Sequence, residues 1–433
     1  MTWEFVPIAT ANSTASVGKR LSIRGWIFRT RSSGGLAFVV VRDSSGLIQT
    51  TARKQTLGEA GFAQYSSALI ESSVEVTGTV AEDARAPGGF ELRVEVARVV
   101  SAAAPFPIFS GQTEEFQLDQ RHLAVRSSDI VATLKVKAEI LRSARAYLDE
   151  RGYLEMTPPL LTGNAAEGGA EAFTLDYFGR EAYLAQTAQL YLEALIFPLE
   201  RVYSVTTSFR AEKSRTNRHL TEYTHLEVES AWADLRDNLE LQEGLVLRIC
   251  HDVARKRPKE LESLGRKPEE LLALKAPFER IRYEEALDRL RAKGVELPFG
   301  KDLGTNEERA LTADRSEPLF VTNYPAEIKA FYMLRSTDDD RVVDGNDLLA
   351  PEGYGELIGA SCRETSIDTL RSRLDRQGAR LENYEWYLDL RRYGSVPHAG
   401  FGLGVERLVR WICKREHIRD TTPFPRTPSR VTP

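Results

Sequence analysis

Five short runs rich in β-branched and aromatic residues, at 20–31, 36–43, 47–53, 74–80 and 90–100, divide the first hundred residues, and no other feature constrains the fold as strongly. Turn-forming clusters separate several of them: Ser32-Ser33-Gly34-Gly35, Ser44-Ser45-Gly46 and Ala86-Pro87-Gly88-Gly89. Runs of this length bounded by Gly, Ser and Pro read as strands joined by tight turns. Residues 58–70 read as one helix between the third and fourth strands. Five short strands suggest a small barrel.

That arrangement, five strands with a helix after the third, is expected of an OB-fold, whose exposed strand face binds oligonucleotides. Residues 1–104 hold eleven Lys/Arg against nine Asp/Glu, so a chain of net charge −5 begins with a segment of +2. A local basic face steers an RNA even when the whole chain is acidic. The stretch 102–111, rich in Ala, Pro and Phe, breaks both periodicities and is expected to be a linker. We place a first domain at 1–104, a hinge at 105–129 and a second domain at 130–433.

In the second domain Leu134, Ala138, Leu141, Ala144 and Leu148 recur at spacings of four and three, and Gly152 supplies a stop, which predicts a helix of four to five turns. Strand-like runs at 182–184, 201–204, 224–229 and 319–322 mix with helical stretches, and no βαβ repeat sets a period. The expected class is α+β, with an antiparallel sheet flanked by helices.

Composition excludes several functions. Apolar residues make up 42% and charged residues 28%, values of ordinary globular proteins. No window resembles a membrane span, and Met1-Thr2-Trp3-Glu4 lacks a basic-then-apolar signal, so a cytosolic location is expected. Cys250, Cys362 and Cys413 are too far apart to form a CxxC pair, and the six histidines form no ligand cluster with them.

Three blocks carry the chemistry: Gly152-Tyr153-Leu154-Glu155 leading to Pro159; Phe209-Arg210-Ala211-Glu212, a loop at 213–218, then His219 to Glu229; and Gly400-Phe401-Gly402-Leu403-Gly404-Val405-Glu406-Arg407. In this order they resemble motifs 1, 2 and 3 of the class II aminoacyl-tRNA synthetases, most closely the aspartyl, asparaginyl and lysyl subgroup. The resemblance covers nearly the whole chain. It implies ATP-dependent activation of an amino acid, its transfer to tRNA, a catalytic domain behind an anticodon-binding barrel, and a homodimer built on motif 1 with Pro159.

Adenylate formation brings a carboxylate to the α-phosphate of ATP, so the site must neutralise a polyanion and align two reactants. By the resemblance Arg210 contacts the α-phosphate and the amino-acid carboxylate, and Arg407 holds the γ-phosphate. Glu212 and Tyr223 bind and stack adenine, His219 and Leu220 belong to the ATP site, and Asp347 and Glu356 bring Mg²⁺ to the phosphates, as oxygen ligands suit a hard cation. Taken singly, an Arg or His is more often a solvated surface residue, and two carboxylates nine apart a solvated loop. The block Gly355 to Arg363 resembles the family's glycine-rich strand with Ala360 in place of a glycine. Gly400, Gly402 and Gly404 are not read as a dinucleotide fingerprint, because no βαβ unit opens there; they are expected to shape a strand-to-helix turn under ATP. In the barrel, Arg29, Arg31, Phe38 and Gln49 resemble the anticodon-reading surface, although Phe38 by itself reads as barrel core.

The amino-acid site is assigned to Glu167, Gln189, Arg210, Glu227 and Arg363. In Gln186 to Glu193, Leu192 stands where aspartyl enzymes place a lysine that neutralises the substrate carboxylate. Asparagine is therefore expected, its NH₂ donating to Glu227 and its carbonyl accepting from Arg363, with tRNA(Asn) as partner. The alternatives are an aspartyl enzyme that also charges asparagine tRNA, a tRNA-independent amide ligase, which would lack the barrel, and a pure tRNA-binding protein, which would not need Arg210, Glu356 and Arg407 together.

Overall fold

The computed structural model describes residues 4–164, 172–213 and 216–433, and the chain divides into two units, Met1–Gln117 and Leu118–Pro433. No helix among the described residues is long and apolar enough to cross a membrane.

The first unit is a closed barrel of β1 (Arg20–Ser33), β2 (Leu36–Arg42), β3 (Leu47–Arg53), β4 (Ser73–Glu82) and β5 (Phe90–Ser101), in the order β1-β2-β3-β5-β4. Gly34 and Gly35 both have positive φ, 58° and 82°, which a two-residue hairpin turn matched to strand twist requires. Ile23, Ile27, Val39, Val41, Ile48, Val76 and Leu92 fill the interior. The inserted helix spans Lys54–Ser66, four residues earlier than expected, and Gly58 inside it sits at φ 72°. With glycine at 58 and 61 and one buried residue, that helix has too weak a stripe to fix its ends.

β1 pairs with β2 with Ile27 opposite Val41 and Arg29 opposite Val40, so Phe28 forms a bulge. One extra residue reverses the inward–outward alternation beyond it. Ile27 therefore points into the core, whereas Arg29 and Arg31 are exposed.

The second unit carries an eight-stranded sheet in the order β12-β13-β14-β15-β16-β11-β10-β6. Its strands are β6 (Leu154–Glu155), β10 (Arg201–Phe209), β11 (Glu222–Ala231), β12 (Glu279–Arg282), β13 (Leu319–Thr322), β14 (Gly345–Ala350), β15 (Gly355–Cys362) and β16 (His398–Gly404). β7 (Leu161–Thr162), β8 (Thr174–Tyr177) and β9 (Arg180–Leu184) form a separate three-stranded sheet, so the run at 182–184 does not belong to the large one. The expected antiparallel sheet is corrected to a mixed one: β12·β13 and β10·β6 are parallel, and every pair between them is antiparallel. Parallel neighbours need a crossover of a dozen or more residues, and the chain supplies one at each edge, 283–318 and 156–200.

Helices Ser128–Asp149 and Leu235–Lys256 cover one face of the sheet, burying Val136, Ile140, Leu148, Leu245 and Ile249 against Val228, Ile358, Phe401 and Leu403. The segment expected as hinge is ordered around Arg121, 3% exposed. Its guanidinium donates to the carbonyls of Arg419, Thr422 and Pro423 at 2.9–3.0 Å. On the other face Leu319, Val321 and Leu349 pack with residues of helices Tyr283–Ala292 and Thr305–Thr312, and the side chains along β11 are polar.

Candidate active site

The face opposite the two long helices floors a cavity of about 680 Å³, within the ~300–1,000 Å³ typical of small-molecule sites. β11 supplies its spine. Leu226 and Val228 point into the core, so Tyr223, His225, Glu227 and Glu229 point the other way and line the cavity. Six residues of strand separate the ends of this row, about 20 Å. The neighbouring β16 passes beneath it: a Cβ at Gly400 would overlap the Glu229 carboxylate and the Val228 carbonyl, and one at Gly402 the His225 imidazole. These two glycines make room for β11 side chains, and β16 then turns into helix Val405–Ile412.

Arg210, Glu212, His219, Leu220, Tyr223, Gln189, Glu227, Asp347, Glu356, Arg363 and Arg407 all line this one cavity, although up to 218 residues separate them in sequence. Glu167 lies outside the described residues. At the Tyr223 end the Arg210 guanidinium stands 5.9 Å from the ring centre of Tyr223 and 3.7 Å from Glu212. Arg407 pairs with Glu356 at 2.9 Å. Burial alone would raise the Glu356 carboxyl, but Arg407, then Lys329, Arg218 and Arg210, hold it at about 2. Burial, reinforced by Arg407, Arg218 and Arg210, pushes His219 down to about 4, so its imidazole is neutral at pH 7. Asp347 goes the other way: burial, helped by Glu356 and Asp302 and opposed by Lys329, raises it to about 6.

Glu356 and Asp347 suit a hard cation. Their carboxylates lie 3.5 and 3.6 Å from the position a Gly359 Cβ would take, so they flank one point on the cavity floor with oxygen donors. No cluster of three or more potential metal-binding side chains occurs among the described residues.

At the far end of the row, Glu227 accepts from the Thr187 hydroxyl and, at 2.8 Å, from the Ala188 amide. Arg363 lines the cavity, is 3% exposed, is bound to Glu229, and donates to Ser361 at 2.8 Å. One expectation is corrected here: Leu192 does not line the cavity. It is 0% exposed and packs with Ala188, Ile196 and Val202. Spacing on helix Gln189–Leu199 explains this, because 188, 192 and 196 share the core-facing stripe and 189 and 193 the other.

Sequence reasoning missed Arg218 and Glu308, a buried ion pair on the cavity wall in which Glu308 also accepts from the Glu356 amide at 2.8 Å. It also missed Lys329, 3.2 Å from Asp347, and Glu229 as the partner of Arg363. Arg218 and Glu229 lay inside the quoted motif 2; Glu308 and Lys329 carry no local signal. Glu406, quoted in motif 3, is structural: it binds Lys137 at 2.5 Å and the amide and hydroxyl of Thr224 at 2.9 Å.

On the barrel, Phe38 is half-buried on the outer face, outside the core, with Arg31 opposite it in register and its guanidinium 5.1 Å from the ring centre. Arg29, Val40 and Gln49 form the adjacent cross-strand row.

A family model described as tRNA synthetases class II (D, K and N) matches residues 113–428, and one described as an OB-fold nucleic acid binding domain matches 21–100. The asparagine–tRNA ligase of Thermococcus kodakarensis is 50% identical over 419 residues, 96% of each chain, and that of Thermoplasma acidophilum 47% over 426 residues, 98% of this chain and 99% of the relative. Among solved structures, asparaginyl-tRNA synthetase of Pyrococcus horikoshii complexed with asparaginyl-adenylate superposes with a TM-score of 0.97 at 47% identity, covering all of both chains. The Entamoeba histolytica asparaginyl-tRNA synthetase complexed with asparaginyl-adenylate gives 0.90 at 30% identity, again over both full chains.

Proposed function

As the chain belongs to the class II tRNA synthetases of the D, K and N group, we propose that it activates asparagine with ATP as asparaginyl-adenylate and transfers the asparaginyl group to tRNA(Asn). The row along β11 carries this reading. An aromatic ring flanked by guanidinium groups suits a purine and its phosphates, and at the other end Glu227 and the Glu229–Arg363 pair suit a small polar side chain.

Charge balance at that far end favours the amide. Arg363 is already neutralised by Glu229, so Glu227 leaves the locality negative, and a second carboxylate would be buried without a cation. An amide NH₂ donates to a carboxylate and carries no charge.

At the other end Arg210 orients the amino-acid carboxylate against the α-phosphate, where two guanidinium bonds reach both reactants. The carboxylate oxygen attacks phosphorus, the bond to the bridging oxygen breaks, and pyrophosphate leaves. Arg407 holds the γ-phosphate, and neutral His219 offers an N–H without adding charge. Glu212 and Tyr223 hold adenine, with Leu220 beside them. Asp347 and Glu356 would hold Mg²⁺, which when bound neutralises phosphate charge. A terminal hydroxyl of tRNA then attacks the carbonyl carbon, an ester forms and AMP leaves. Outside the cavity, Arg29, Arg31, Phe38 and Gln49 read the anticodon by stacking and hydrogen bonding.

The exposed Leu154, Leu160 and Leu161, 39–47% exposed beside motif 1, support a homodimer that covers them. Pyrophosphate exchange with ATP tests the reading: asparagine must drive it, and exchange driven by aspartate in preference would replace asparagine in this reading.

A further inference from the structure

Behind the amino-acid end of the cavity lies a carboxylate that no step above uses. Glu193 is 0% exposed and accepts from four side chains: Gln189 Nε2 at 3.0 Å, Tyr387 Oη at 2.8 Å, Arg391 at 2.6 Å and His398 Nε2 at 3.1 Å. The bonds divide by oxygen, with Gln189 on Oε1 and the two basic groups on Oε2. Gln189 sits one turn earlier on the same helix and lines the cavity.

A carboxylate only accepts, so the Gln189 atom facing it is the NH₂. His398 stands on the other side of Glu193, its Nδ1 2.8 Å from the Val396 carbonyl and its Nε2 3.1 Å from the carboxylate. Arg391 and His398 therefore anchor Glu193 from behind, and it cannot turn to follow Gln189. His398 also holds Arg363, whose amide donates to its carbonyl at 2.9 Å.

Resting on the reading of this cavity as an asparagine site, we infer that Glu193 is a positioning residue: by taking the Gln189 NH₂ it commits the Gln189 carbonyl oxygen to the cavity as an acceptor for a substrate N–H. An acceptor there receives an ammonium or an amide and repels a carboxylate, so Glu193 sharpens the choice of amino acid without touching it.

The variant Glu193→Gln tests this in the full-length enzyme. Arg391 and His398 claim the new carbonyl oxygen, the new NH₂ turns toward Gln189, and the Gln189 amide flips to present its own NH₂. The Michaelis constant for asparagine in pyrophosphate exchange rises about tenfold, kcat and the constant for ATP stay within about twofold, and the preference over aspartate narrows. In a Gln189→Ala background the effect of Glu193→Gln on asparagine disappears, because nothing is left to flip. If Glu193→Gln does not fold, Glu193→Asp enters the same cycle: it keeps the charge but withdraws from Gln189 by about one carbon–carbon bond, ~1.5 Å. Additive effects of the two substitutions, or an ATP constant that rises in step with that for asparagine, overturn the inference. Absence of asparagine-dependent exchange in the wild type overturns the functional reading instead.

Discussion

Glu356 and Asp347 reach over Gly359 from adjacent strands, each carboxylate within 3.6 Å of the point where a side chain at that glycine would begin. Bare backbone between two acids is what a shared cation needs. Gly359→Ala places a methyl group at that point in ordinary van der Waals contact, so the fold tolerates it while the space between the carboxylates narrows. The Mg²⁺ concentration for half-maximal pyrophosphate exchange is expected to rise about tenfold, a change worth ~1.4 kcal/mol, with little change in Tm. An unaltered Mg²⁺ requirement places the cation elsewhere.

The same pair sets a pH dependence. Asp347 titrates near 6, raised by burial and by its acidic neighbours, whereas Glu356 stays ionised. Only the ionised carboxyl binds a cation, so protons compete as pH falls through 6 and affinity is full above it. Below that pH the half-saturating Mg²⁺ concentration should climb by up to about tenfold per unit, and between pH 7 and 8 it should stay flat. Titrations of exchange activity against Mg²⁺ at pH 5.0, 6.0 and 7.5 check this.

Arg210 lines the cavity 5.9 Å from the ring centre of Tyr223, and in the proposed reaction it faces the phosphate where charge develops during attack. Arg210→Ala removes a donor to the reacting phosphate, and adenylate formation should fall by about 10²–10³ in kcat. Rapid-quench measurement of the adenylate isolates that step from tRNA transfer.

Phe38 offers its ring on the outer barrel face under Arg31. Phe38→Ala should lower the kcat/KM of tRNA charging by one to two orders of magnitude, about 1–3 kcal/mol for one stacked base. Pyrophosphate exchange without tRNA should keep its rate, and equal loss of both activities would deny the barrel a separate role.

Leu192→Lys would create a specificity switch if position 192 met the substrate. It sits instead among Ala188, Ile196 and Val202, where an ammonium has no partner. The expected result is a loss of stability of roughly 3–5 kcal/mol, read as a lower Tm, with the ratio of asparagine to aspartate activation unchanged. A folded variant that turns toward aspartate would restore the sequence-based reading.

Much of the site was legible because its residues cluster in blocks. Arg210, Glu212, His219, Tyr223 and Glu227 lie within 18 residues, and the hairpin of β10 and β11 carries them to one floor. The Arg218–Glu308 pair and Lys329 were not legible, since their partners lie about 90 and 18 residues away with no periodic relation between them. Leu192 was misread for a different reason: alignment with a lysine gives a position, but the helix face that position occupies depends on what packs against it.

The sequence by itself determined the five barrel strands, the order of the three motifs and the chemical types gathered for activation, because these depend on local pattern and composition. Only the tertiary structure decided which way two decisive side chains point. In β1 the bulge at Phe28 turns Arg29 out of the barrel. In β15 Leu348 pairs with Ile358 but Leu349 pairs with Glu356, so Leu357 is the extra residue, and Glu356 comes round to the face of Gly359 and Asp347. Side chains alternate along a strand with a period of two, and one inserted residue reverses the alternation for everything beyond it. Whether a strand bulges depends on the register of its neighbour, which is a property of the pair and is written in neither strand alone.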